Sequence, residues 1–121
     1  MAAPNLVSVS SIYGKTKGAA LGTSSADILT CAAEKVYKIN SIIVSNIDGT
    51  NNADATVAFF DASVSSSYHL AKTVTVPADS TLIVLGKDAP IYLEESDKIT
   101  ALASAASDLE IVISWEELDD A

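Results

Sequence analysis

The sequence has no arginine, one cysteine, one histidine and one tryptophan, and aromatic residues make up 6% of its 121 positions. Each scarcity closes off a class of function. Seven lysines against sixteen acids give a formal charge of −9. Specific nucleic-acid binding uses a basic face and the bidentate reach of arginine, so DNA and RNA are poor partners. The same charge disfavours adsorption to anionic membranes. His69 is the one imidazole available to a Ser-His-Asp or Cys-His arrangement. Its place beside Leu70 on an alternating segment puts it on a solvent face instead. Cys31 stands alone, which excludes an intrachain disulfide and any Cys-x-x-Cys site, and it reads as a small apolar residue. No apolar run approaches the ~20 residues that span a bilayer. The opening MAAPNLVSVS lacks a basic n-region and a continuous apolar h-region, so synthesis in a cytoplasm is expected.

Hydrophobic residues make up 49% of the chain, much of it alanine. One domain of this size can bury a core, and small residues suit closely stacked sheets better than a roomy cavity. Lys35–Asn46, KVYKINSIIVSN, reads as a long strand, β-branched and free of Gly and Pro. Apolar residues on both faces from Ile42 to Val44 predict a strand covered on both sides. Asp48–Asn52 then turns the chain into a second strand at Ala55–Phe60, so a central hairpin is expected.

The rest of the chain follows the same rhythm. Residues 1–8 form an N-terminal arm, residues 9–118 the domain and residues 119–121 an acidic tail, with the whole run from Glu116 expected to fray. Leu6–Tyr13 reads as a small, serine-rich edge strand and Gly14–Gly22 as a loop or loose strand. Ser24 with Asp27 could open a helix, but the surroundings favour a strand at Asp27–Cys31. Further strands are expected at Tyr68–Val76, Thr81–Leu85, Ile91–Leu93, Lys98–Ser104 and Leu109–Trp115, the last with the clearest alternation. About eight or nine short strands at spacings near ten residues predict an all-β fold, a two-sheet antiparallel β-sandwich of jelly-roll type.

Chemistry is sparse. Asp48, Asn51, Asn52 and Asp54 gather oxygen ligands of the kind calcium prefers, but the spacing is not that of an EF-hand, and a solvated turn accounts for them. Glu94, Glu95 and Asp97 could supply a glycosidase's two carboxylates, yet no aromatic platform accompanies them. Gly14-Lys15-Thr16 resembles the end of a phosphate loop whose first glycine is missing, Val9 standing in its place. No cofactor, metal or catalytic residue is expected. Trp115 reads as core or core rim, with a subunit interface as the alternative.

Two runs, Val36–Phe60 and Tyr68–Leu118, resemble small virion structural proteins of tailed bacteriophages, especially those of marine cyanobacteria. The likeness rests on SNIDGTNNADATV, VPADSTLIVL, PIYLEESDKI and ASAASDLEIVISWEE, and covers about three-quarters of the chain. It implies a non-enzymatic β-sandwich on the particle, most plausibly a capsid decoration or cement protein bound to the outer capsid surface. A neck or tail component is the alternative, and a carbohydrate-binding receptor module another. The implied partners are further copies, a trimer being expected, and the major capsid protein or other virion proteins. The implied location is the virion. Candidate interface residues are Pro4, Asn5, Leu6 and Val7, within an arm at Pro4–Val9 that reaches the capsid or a neighbour, and Tyr13 with Trp115 in or near an interface.

Overall fold

The computed structural model describes residues 6–7 and 9–119. They form nine strands: β1 Ser11–Ala20, β2 Ala26–Thr30, β3 Val36–Asn46, β4 Ala53–Asp61, β5 Ser66–Val76, β6 Thr81–Leu85, β7 Ile91–Leu93, β8 Lys98–Ala103 and β9 Leu109–Asp119. The pairings nest. β4 pairs with β5, β3 with β6 and β7, β2 with β8 and β1 with β9, all antiparallel. The chain is thus one long antiparallel hairpin with its tip between β4 and β5, rolled until β9 meets β3 and β8 meets β4. Rolling yields two sheets, β1-β9-β3-β6 with β7 beside β6 along β3, and β2-β8-β4-β5. This is the all-β jelly-roll sandwich that the strand spacing predicts.

Residue size explains how the two layers meet. The first sheet turns Ile39, Ile42, Val44, Leu109, Ile111 and Ile113 inward, while the second offers Ala53, Ala55, Val57, Ile99, Ala101 and Ala103. Large side chains meet small ones across the interior, so the alanine-rich composition becomes packing density rather than voids.

The central hairpin is a correction. β3 and β4 lie in different sheets, and residues 47–52 carry the chain across. The side chain of Asn46 shapes that crossing. Its Nδ2 donates to the carbonyls of Asn51 and Val76, each at 2.9 Å, and its Oδ1 accepts from the Asp48 N–H at 2.9 Å. The double-sided strand is a second correction. The β3–β9 register slips between Ile39 and Ser41. Asn40 is therefore the extra residue of a β-bulge, and the inward face passes from Tyr37 and Ile39 to Ile42 and Val44. The slip puts Tyr37, Ile39, Ile42 and Val44 on one buried face despite their different parities, while Ile43 lies half-buried on the opposite face, so the strand is fully covered on one side only.

Both chain ends depart from expectation. Ser11–Ala20 is one continuous strand through Gly14 and Gly18, because β9 supplies a partner for its full length. At the other end β9 continues through Glu116, Glu117 and Leu118 to Asp119 instead of fraying. Residues 1–5 and 8 of the expected arm, and 120–121 of the expected tail, lie outside the described residues.

Candidate functional site

The candidate interface residues separate into two environments. Pro4 and Asn5 lie outside the described residues. Leu6, Val7 and Tyr13 are exposed at 47%, 95% and 52%, and Ile12 joins them at 60%. Four large apolar side chains on one stretch entering β1 make a surface that water does not favour. Trp115 is different. Alternation along β9 turns it inward, where it is 7% exposed and its ring stacks on Tyr37 with centroids 5.8 Å apart. It belongs to the core, and its indole Nε1–H has no hydrogen-bond partner there.

Next to this ring pair, Glu117 is buried beneath β1. Its carboxylate takes Lys35 at 2.8 Å and Lys15 at 3.2 Å, and Lys35 also reaches Asp119 at 3.7 Å. Burial alone pushes this carboxyl up. The hydrogen bonds and charges of Lys35 and Lys15 outweigh it and hold the group below the ordinary glutamate range. Reciprocally, the hydrogen bond to Glu117 raises Lys35. Burial and the nearby Glu117 charge raise the Tyr37 phenol. Lys17 acts beside them, donating from Nζ to the Ile28 carbonyl at 2.6 Å. Lysines on β1 thus fasten the first sheet's edge strand to its neighbour β9 and to the edge strand of the second sheet. Glu117, and Gly14 and Gly18 as strand residues, escape a sequence reading that makes Gly14–Gly22 a loop or loose strand and ends β9's regular structure at Trp115.

The other acidic clusters spend their oxygens on the chain itself. Asp48 Oδ1 accepts the N–H groups of Thr50 and Asn51 at 2.8 and 3.2 Å, and its Oδ2 accepts from Asn51 Nδ2 at 3.2 Å. These bonds, the Thr50 one foremost, hold its pKa below the usual aspartate value. Asn52 Oδ1 accepts the Ala78 N–H, and Asp54 Oδ1 takes the Thr75 hydroxyl. The loop is a hydrogen-bonded turn. Asp97 is likewise buried, accepting the Ala62 N–H at 2.9 Å and the Glu94 N–H at 3.0 Å, while Glu95 accepts the Glu34 N–H at 2.8 Å. Asp97 therefore stitches the β4–β5 tip to the β7–β8 turn. His69 is exposed on β5, across from Ala58. Cys31 is buried, with Sγ donating to the Lys35 carbonyl at 3.3 Å. Among the described residues no three His, Cys, Asp or Glu side chains are placed to share a metal ion.

No family model matches the chain, and no curated protein matches it. Solved structures do. One comes from work titled "Bacillus endospore appendages form a novel family of disulfide-linked pili". It shares 17% sequence identity, covers 90% of this chain and 88% of that one, and superposes with a TM-score of 0.53. At that identity the likeness shows the β-sandwich fold alone.

Proposed function

We propose that this chain is a non-enzymatic structural subunit of a tailed-phage virion, a decoration or cement protein that adheres to the outer capsid and stabilises the head. The observation that carries the reading is the run of exposed apolar side chains at Leu6, Val7, Ile12 and Tyr13, gathered on one short stretch where the other exposed large apolar residues, such as Ile47, Val64 and Ile83, stand singly along the sequence. Such a run is favourable only when something covers it. Adhesion by many copies needs no single strong contact, since modest affinities multiply when several copies hold one surface.

Cosedimentation with capsids built from the major capsid protein of the same virus tests this. The wild-type chain pellets with the capsids, and a Leu6→Asp, Val7→Asp double variant stays in the supernatant while keeping its melting temperature. Equal binding by both would remove the apolar run from the account, and no binding by either would remove the capsid.

The structural neighbour motivates a second reading, a subunit of a filament, because a protein of this fold is described as forming pili. That protein's pili are disulfide-linked. Here the one thiol, Cys31, is 2% exposed and would have to leave the core to link anything.

A further inference from the structure

β1 forms the outer edge of the first sheet, and it is an open edge. Leu21 donates to the Leu109 carbonyl at 2.9 Å, marking a bonded pair in the register that runs unbroken along β1 and β9. Bonded and non-bonded pairs alternate in an antiparallel ladder, so Ala19, Lys17, Lys15 and Tyr13 direct their backbone groups at β9. The N–H and C=O groups of Ile12, Gly14, Thr16, Gly18 and Ala20 therefore point away from the sheet. Among the described residues no backbone group bonds to that side.

Folded proteins guard such edges with bulges, short strands or charged side chains. The other edges here are guarded. β2 is five residues long, carries a register slip and has its Ile28 carbonyl taken by Lys17. β5 pairs with β4 through two register slips and holds Thr73 at φ 47°. β6 and β7 have five and three residues. β1 has ten residues with no slip. Its lysines, the expected guards, are drawn aside, Lys15 to Glu117 and Lys17 to Ile28.

We propose that β1 pairs with β1 of a second copy, antiparallel about a two-fold axis at Lys15, joining the two first sheets into one. The occupant follows from elimination, because no other described edge of a second copy presents a long regular ladder. The register follows from the side chains. On the outer face of the sheet, an axis at Lys15 sets Ile12 opposite the second copy's Gly18 and Thr16 opposite its Gly14, each larger side chain against a glycine. Beside Gly18 lies a shallow depression of about 300 Å³, lined by Gly18, Ala20, Glu110 and Val112, which leaves room for the facing Ile12. An axis one residue further along would oppose Gly14 to Gly18 and place Lys15 against Lys17 twice. The chosen axis makes one like-charge pair, and each of its lysines already has a carboxylate at 3.2 Å. A two-fold pair closes on itself, giving a dimer in place of the trimer expected at the sequence level.

The inference stands on the strand edge and does not depend on what the protein adheres to. Changes at Leu6 and Val7 probe adhesion and leave the mass alone, whereas changes at Thr16 probe the mass. Light scattering on the full chain at concentrations up to about 1 mM is expected to give twice the 12.5 kDa monomer mass. T16P deletes an N–H that bonds nothing within its own sheet, so it is tolerated in the fold. It weakens association about a hundredfold, because a two-fold interface loses the bond twice. K15C gives an independent reading. Residue 15 sits on the axis in a non-bonded pair with Cα atoms about 4.5 Å apart, within disulfide reach, so mild oxidation yields a covalent dimer. The wild type, its thiol buried, yields none. A monomer throughout, a trimer or larger ring, or a dimer that T16P leaves intact and K15C does not cross-link would each overturn the proposal.

Discussion

Glu117 on β9 accepts a 2.8 Å hydrogen bond from Lys35, just ahead of β3, while Lys15 of β1 holds its other oxygen at 3.2 Å. One buried carboxylate thus ties three adjacent strands at the end of the sandwich where β1 begins. E117Q keeps the shape and removes the charge. It is expected to cost about 1–2 kcal/mol at neutral pH, modest for a buried pair because both lysines remain partly in water. The sign of the pH dependence is fixed by the depressed pKa. The contribution is whole above the ordinary glutamate value of 4.5 and is lost as pH falls through the lower folded value. Urea denaturation of both proteins at pH 7 and at about pH 3 checks this, and the gap should narrow in acid. A gap independent of pH would contradict it.

Cys31 should be chemically silent in the folded protein. Burial pushes its thiol up to about 12, partly offset by a hydrogen bond from the Tyr37 backbone, with the charges of Asp97, Glu117 and Glu95 raising it further. At pH 8 the thiolate is then only about one part in ten thousand, and thiolate is the reactive form. A thiol-reactive chromophore should label the denatured chain fully within minutes and the native chain at the rate of global unfolding.

Trp115 gives a graded test of the core. W115A removes a buried ring that stacks on Tyr37 and is expected to cost about 3–5 kcal/mol. W115F keeps most of the stack and deletes an indole N–H with no partner, so its cost should stay within about 1 kcal/mol. Chemical denaturation measures both. Equal losses would mean that the N–H is bonded after all.

At the sheet crossing the decisive group is the Asn46 amide. N46A strands the buried ends of three hydrogen bonds of 2.9 Å each, and a loss of about 2–3 kcal/mol is expected. Hydrogen exchange should show the loosening around Asp48–Asn52 before the rest of the fold.

The ease of reading this chain tracks how local the signal is. Leu109–Trp115 alternates cleanly because one face of β9 meets the core and the other does not. Thr81–Leu85 and Ile91–Leu93 are framed by turn residues. Sequence reading stumbled where the cause is non-local. The slip at Asn40 comes from pairing with β9, some seventy residues away, and inverts the parity of half of β3. Asp48–Asn52 has the composition of a hairpin turn, but the Asn46 amide, bonded to Val76, sends the chain to the opposite sheet. Gly14 and Gly18 look like a loop because intrinsic preference opposes a strand, and a ten-residue ladder overrides it. In the candidate site, Leu6, Val7 and Tyr13 are exposed and Trp115 packs into the core, the first of its two readings, while Glu117 sat inside a run read as frayed tail.

The most direct measurement of the central claim is the temperature at which filled heads release their DNA, with and without bound protein. If the chain is a cement, saturated heads withstand a higher temperature than bare heads, and the Leu6→Asp, Val7→Asp variant gives no protection. Heads that release DNA at the same temperature whether or not wild-type protein is bound would contradict a stabilising role.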